Sequence, residues 1–69
     1  MDTEVIFLVK ESEEGGYEAR ALDYSIFTEA DSIEELRAMV RDAVACHFDP
    51  ENKPKAIRLH FVRDEIIAA

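Results

Sequence analysis

Val5-Ile6-Phe7-Leu8-Val9 is the stretch that decides the fold, because all five consecutive residues are apolar. Such a run of β-branched, aliphatic and aromatic side chains favours a β-strand, where these side chains pack well on a pleated surface. A strand with one face in water alternates apolar and polar residues, and this one does not. The run therefore predicts an internal strand of a sheet, buried on both faces.

The residues that follow predict a meander of three antiparallel strands. A polar loop ends in Gly15-Gly16, which can adopt positive φ angles in a tight connection. Residues 17–22 alternate with a period of two and predict the second strand, one face of which is formed by Tyr17, Ala19 and Ala21. Residues 23–25 predict a turn, and residues 26–29 predict a short third strand.

The strongest helix start in the chain is Asp31-Ser32. Both residues are good N-caps, and each has a glutamate three positions later, so either can close a capping box. The Asp49-Pro50 pair predicts the end of the helix. Between these signals, helical spacing places one apolar face, which consists of Ile33, Leu36, Val40, Ala43, Val44 and Phe48, with Met39 at its edge.

The C-terminal part of the chain predicts one more strand. Residues 56–62 alternate clearly, so that Ile57, Leu59 and Phe61 face inward and Arg58 and His60 share the less buried face. The tail, residues 63–69, carries two isoleucines, which favour a short fifth strand able to pair with another chain.

The element order β-β-β-α-β predicts a single α+β domain over residues 1–69. A right-handed crossover through the helix brings the fourth strand beside the first and parallel to it, which makes the first strand internal. One helix covers only one face of the sheet. We therefore expect a second copy or a different protein on the other face, and a homo-oligomer, most simply a dimer, is expected for so thin a domain.

The composition limits the kind of partner and the cellular compartment that are expected. Sixteen acidic and eight basic residues give a net charge of −8, which opposes direct binding to nucleic acid. The same charge either keeps a small protein in solution or attracts a basic protein. The lone Cys46 excludes an internal disulfide, no apolar run is long enough to cross a membrane, and Met1–Glu4 lacks a basic leader. A cytoplasmic protein without membrane contact is expected.

No pattern predicts a catalytic, cofactor or metal site, so an enzyme is not expected. Cys46 and His47 are neighbours on the helix, and adjacent helical side chains point about 100° apart rather than toward one ion. Cys46 is therefore expected in the core or at its boundary, and His47 at a helix C-terminus that favours it. None of the serines lies in a Gly-x-Ser-x-Gly setting.

The motifs and their order resemble the HicB-type antitoxins over about residues 4–62. The matching residues are Gly15, Gly16, Tyr17, Phe27, Thr28, Asp31, Glu34 and Glu35, with Ser32 in place of a usual threonine. The sequence departs from the family pattern at residues 21–25, which replace a usual Pro-Asp-Leu-Pro-Gly segment, and at Ala30, which replaces a glycine. No appended helix-turn-helix or ribbon-helix-helix domain is found within residues 1–69.

The resemblance implies a partial ribonuclease-H-like fold and a small basic HicA-type toxin as partner. That toxin cleaves RNA with a histidine, and the antitoxin covers its RNA surface. The residues implied to contact the partner are Glu11, Glu13, Glu14, Tyr17, Asp23 and Tyr24. A working ribonuclease-H site holds two magnesium ions between carboxylates, and the middle of the first strand and the last strand contain none.

Two other functions remain in view. The first is an orphan homo-oligomeric domain of the same fold with no toxin partner. The second, a subunit of 2-oxoisovalerate dehydrogenase, is a label carried by some short relatives. It is not supported, because 69 residues cannot hold a thiamine-diphosphate site and no cofactor motif is present.

Overall fold

A computed structural model describes residues 4–69, which form four strands and one helix in the order β-β-β-α-β. The elements are β1 (Glu4–Glu11), β2 (Tyr17–Ala21), β3 (Phe27–Ala30), α1 (Ile33–His47) and β4 (Ala56–Val62). The bounds of β4 agree with the alternating run in the sequence. No helix in the described range is long and apolar enough to cross a membrane.

The strands form one sheet in the order β3-β2-β1-β4, which confirms the predicted α+β fold. β1 pairs with β2 and β2 with β3 in antiparallel fashion, while β1 and β4 are parallel. The crossover through α1 therefore places the last strand beside the first. β1 is an internal strand, and both β3 and β4 are edge strands.

The core lies between the sheet and α1. The helix packs chiefly against β2 and β3. It contributes three fully buried side chains, each of which stabilises the fold by about 1.5–3 kcal/mol through burial. The core consists of Val5, Phe7, Val9, Ala19, Ala21, Ile26, Leu36, Val40 and Val44.

The helix begins at the second of the two candidate caps. The backbone N–H of Glu35 donates to Ser32 Oγ at 3.1 Å, and Ser32 itself has extended backbone angles. Ser32 is therefore the N-cap, and Asp31 is not. At the other end, Phe48 caps the helix with its N–H on the carbonyl oxygen of Val44, one residue before Asp49.

The prediction that β1 is buried on both faces is wrong for the single chain. Val5, Phe7 and Val9 face the helix and are buried, whereas Ile6 is half-buried and Leu8 is exposed on the opposite face. The physical reason is that the only helix lies on one side of the sheet. The opposite side of the sheet, called the open face below, has no covering element within residues 4–69.

Two expectations about the C-terminal part also need correction. Phe61 lies on the helix side, as expected, but is 53% exposed, because α1 sits over β2 and β3 and does not reach the end of β4. The tail, residues 63–69, forms no strand, and Ile66 and Ile67 are almost fully exposed. A strand needs a neighbour for its hydrogen bonds, and the tail pairs with neither edge strand of the sheet.

The third strand is displaced by one residue from its predicted position. It spans Phe27–Ala30, because the N–H of Ile26 bonds to the carbonyl oxygen of Tyr24 within the preceding turn. The Ile26 side chain nevertheless enters the core.

Candidate protein-binding surfaces

The predicted partner-binding residues fall into two groups, and the first is the acidic loop between β1 and β2. Glu11 ends β1, and Glu13 and Glu14 lie in the turn that follows. The turn is closed by two backbone hydrogen bonds, from Ser12 N–H to the Gly16 carbonyl oxygen and from Gly15 N–H back to Ser12. All three glutamates are exposed.

The acidic loop is held against the start of the helix by a backbone contact. Gly16 has a φ of +81°, and a β-carbon at this position would lie 2.6 Å from the carbonyl oxygen of Ala30. Tyr17, the next residue, pairs with Ala30 across the β2–β3 ladder. The two segments that carry the family resemblance, residues 15–17 and 31–36, therefore meet in one local structure.

Carboxylates from three elements surround a depression of about 320 Å³ at this end of the molecule. None of them forms an ion pair with another residue of the range 4–69. We call this region the acidic end and define it by Glu14, Asp31 and Glu35 around the depression; Glu29 also lines the depression, but its register in the β2–β3 ladder places its side chain on the opposite side of the sheet. Part of this charge has a structural role, because acidic residues in the first turn stabilise the positive end of a helix dipole.

Two apolar side chains also line the depression of the acidic end. Tyr17 is half-buried and packs against the core, while Met39 projects from α1 and is largely exposed. The depression thus combines negative charge with a partly apolar floor. The sequence indicated only a helix-capping role for Asp31 and Glu35. The signal that could have joined them to the acidic loop is the hairpin of β2 and β3, which returns the chain to that loop just before the helix begins.

The second predicted group, Asp23 and Tyr24, lies elsewhere. Both residues belong to the β2–β3 turn, beyond the far end of β2 from Tyr17. Six residues of extended chain, at about 3.3 Å each, span about 20 Å. The structure therefore does not bring this group together with the acidic loop.

Tyr24 has a packing role at its end of the molecule. Its ring makes edge-to-face contacts with Phe48, at a centroid distance of 4.8 Å, and with His47, at 5.6 Å. Such pairs stabilise by about 0.5–1.5 kcal/mol beyond the area they bury. Asp23 is exposed beside this cluster. Cys46, expected in the core or at its boundary, is exposed instead.

The open face is a second candidate surface, and its apolar residues are contributed by three of the strands. The pairing registers place twelve side chains on it, and they are Glu4, Ile6, Leu8, Lys10, Glu18, Arg20, Phe27, Glu29, Ala56, Arg58, His60 and Val62. His60 and Arg58 share this face, as predicted. A depression of about 300 Å³ lies between Leu8, Arg20, Phe27 and Val62.

Two ion pairs cross the open face. Arg58 donates from Nε to Glu4 Oε1 at 2.8 Å and from Nη2 to Glu4 Oε2 at 3.3 Å, which joins β4 to β1. These hydrogen bonds, with the positive charge of Arg58, hold the pKa of the Glu4 carboxyl below its ordinary value and raise the pKa of Arg58. Lys10 Nζ lies 3.4 Å from Glu18 Oε1.

No arrangement of side chains for a metal ion is found in the described part of the chain, where no three His, Cys, Asp or Glu residues converge. Both surfaces offer charged and apolar side chains for contact. Such contacts serve recognition of another macromolecule.

Two curated proteins are similar to the chain over most of its length. A UPF0150 protein of Thermotoga maritima is 51% identical over 65 residues, which cover 94% of this chain and 91% of the relative. A UPF0150 protein of Archaeoglobus fulgidus is 61% identical over 51 residues, which cover 74% and 76%. No protein-family model and no solved structure gives a significant match. At these identities and coverages, the chain belongs to the UPF0150 family.

Proposed function

We propose that this chain is an antitoxin-like binding module of the HicB type, which neutralises a small, basic, RNA-cleaving toxin by covering its RNA surface. It acts by binding alone and has no catalytic step. The acidic end is the surface that meets the toxin. The proposal combines the resemblance in sequence with the geometry of that end.

The observation that carries the proposal is the contact between Gly16 and Ala30. This contact places the acidic loop beside the first turn of α1. The negative charge of both segments is thereby concentrated around one depression, which also offers Tyr17 and Met39 for apolar contact. A concave surface with mixed apolar and charged lining suits the side chains of a protein partner.

Charge complementarity gives this surface a specific partner class. A protein that binds RNA neutralises phosphates with clustered lysines and arginines. Such a basic cluster is attracted by a chain of net charge −8, and most strongly by the acidic end. The antitoxin then occupies the positions that RNA phosphates would otherwise take, which blocks cleavage without any contact to RNA.

The first test is co-expression. The protein encoded by the gene next to the one for this chain is expressed alone and together with it; the proposal expects that neighbour to be small and basic. We expect growth arrest in the first case and normal growth in the second. A neighbour that is harmless alone, or a purified pair that does not associate at low salt, would contradict the proposal.

A charge-reversal pair tests the surface. Glu13→Lys/Glu14→Lys reverses charge in the acidic loop that borders the acidic end, whereas Asp42→Lys/Glu51→Lys changes the net charge equally at exposed sites away from it. We expect the association rate at low salt to fall about tenfold or more for the first variant and much less for the second. Equal effects of both pairs would show that only the overall charge matters.

A second candidate function, an orphan homo-oligomeric domain with no toxin, is favoured by the open face. The apolar side chains exposed there suit self-association that does not involve a toxin. This alternative becomes the better description if self-association is found and the basic neighbour proves harmless.

A further inference from the structure

We propose that the open face is the surface through which two copies of this chain associate, sheet against sheet. The partner at this face is a second copy of the same chain rather than a basic protein. The inference concerns a surface separate from the one used in the proposed function and holds whether or not a toxin exists.

The first argument is the apolar content of the open face. Leu8 is 36% exposed, Phe27 52% and Val62 38%, and the three surround one depression together with the Arg20 side chain. Ile6, half-buried, extends the apolar surface along β1. Contiguous apolar surface of this kind on a small monomer marks an interaction site. A second sheet packed about 10 Å away would bury it, as in a β-sandwich.

The second argument is charge, and it decides which partner fits. The strands of the open face carry three carboxylates and three basic groups. The carboxylates belong to Glu4, Glu18 and Glu29, and the basic groups to Lys10, Arg20 and Arg58. Asp64 also lines the depression of this face, so its net charge is −1 with histidine neutral. The whole chain has a net charge of −8, so that most of the excess negative charge lies outside the open face.

A nearly neutral face suits a second copy of an acidic protein. Two copies that meet here keep most of their like charges apart, whereas contact through the acidic ends would bring negative charge against negative charge. A basic partner gains little from a nearly neutral face and is attracted to the acidic end instead. Charge thus separates the two surfaces by the partner that each one fits.

The third argument is the symmetry of the charges on the open face. Glu4 is paired with Arg58 and Lys10 with Glu18, which leaves Arg20, Glu29 and Asp64 without an ion pair among residues 4–69. A two-fold axis makes the same patch meet itself, so that each copy presents one free positive and two free negative groups to the other. Arg20 of each copy can then meet a carboxylate of the other.

The size of the open face determines how tightly two copies are expected to associate. Four strands spaced about 4.8 Å apart, with about 3.3 Å per residue, give a footprint of about 20 × 20 Å. A standard interface buries about 800 Å² of accessible surface per partner, so this face supplies an interface at the small end of the range. We therefore expect a dimer with a dissociation constant in the micromolar range rather than a permanent one.

Sedimentation equilibrium of the purified chain from about 1 to 300 μM tests the proposal. We expect the apparent mass to rise from 7.9 kDa toward twice that value. Leu8→Arg and Phe27→Asp, each measured separately, should weaken association at least tenfold. Met39→Arg is the matched control, because Met39 is 39% exposed on the helix and lies off the open face.

Circular dichroism and thermal melting show whether each variant is folded. Phe27 lies on the edge strand β3, so its variant keeps the test valid if Leu8→Arg fails to fold. A wild-type chain that stays at 7.9 kDa throughout overturns the proposal. So does a dimer that Phe27→Asp leaves intact, or one that Met39→Arg weakens equally. None of these measurements involves a toxin, so failure here is distinct from failure of the antitoxin proposal.

Discussion

The carbonyl oxygen of Ala30 occupies the space into which a side chain at Gly16 would extend. Only a residue without a β-carbon allows the β1–β2 turn to approach the β3–α1 junction this closely, and glycine also accepts the positive φ at this position without strain. Gly15, one residue earlier, has a φ of +95° but faces open space. A substitution at Gly15 would therefore introduce backbone strain alone, whereas one at Gly16 would introduce both strain and steric overlap.

Gly16→Ala is expected to lower the free energy of unfolding by about 3 kcal/mol, because overpacking adds to the strain of positive φ. Gly15→Ala is the control and should cost only the strain, about 1–2 kcal/mol. Urea denaturation of both variants measures the difference. Equal losses would show that the turn can move away from Ala30.

Truncation of the buried face of α1 should destabilise the fold strongly. Leu36→Ala and Val40→Ala are each expected to lower the free energy of unfolding by about 2–4 kcal/mol, with the valine nearer the low end. Both residues are fully buried. The exposed Arg37→Ala is the control, with an expected change within about 0.5 kcal/mol. An unchanged denaturant midpoint for Leu36→Ala would contradict the assigned helix face.

Substitution of Thr28 by valine is expected to stabilise the fold. The side-chain oxygen of Thr28 is buried beneath the helix and has no hydrogen-bond partner among the described residues. Thr28→Val removes this unsatisfied group and keeps the β-branched shape, so we expect a gain in stability of up to about 1 kcal/mol. Thr28→Ala, which leaves a void instead, should be destabilising. A loss of stability in the valine variant would indicate that the hydroxyl has a partner.

The Glu4–Arg58 ion pair predicts a measurable pKa. Because Arg58 lowers the pKa of Glu4 in the folded chain, the pair contributes stability above the unfolded-state pKa and loses it as pH falls through the folded-state pKa. NMR titration should find the Glu4 pKa below its ordinary value, and Arg58→Met should restore it. Lys10→Met, which removes another charge from the same face, should leave it nearly unchanged. The effect on overall stability is small because both groups are exposed.

Local features of the structure were predictable from the sequence. The start of α1 was limited to a cap at Asp31 or Ser32, of which the structure selects Ser32, and the limits of β4 follow from its alternating side chains. The exposure of Phe61 was not predictable, because it depends on where α1 lies across the sheet. Contacts with β2 and β3 determine that position, and no sequence period encodes it.

The candidate surfaces, too, were only partly predictable from the sequence. The acidic loop was evident from Glu11, Glu13 and Glu14, but its meeting with Asp31 required the register of the β2–β3 ladder. That an uncovered sheet face would exist followed from the single helix. That its charges nearly balance required the pairing registers of all four strands, which decide the side of the sheet on which each charge lies.

The parallel pairing of β1 with β4 also has a consequence for how the chain folds. From Glu4 to Lys10, each residue of β1 pairs with the residue 52 positions later, as Glu4 does with Ala56. The hairpin and the helix can form from near neighbours, whereas this ladder closes a long loop and is expected to form last. Until it does, the most apolar strand of the protein remains an unpaired edge. The late arrival of β4 therefore defines an interval during biosynthesis in which the chain is most prone to aggregate, and in which a chaperone would find its binding site on β1.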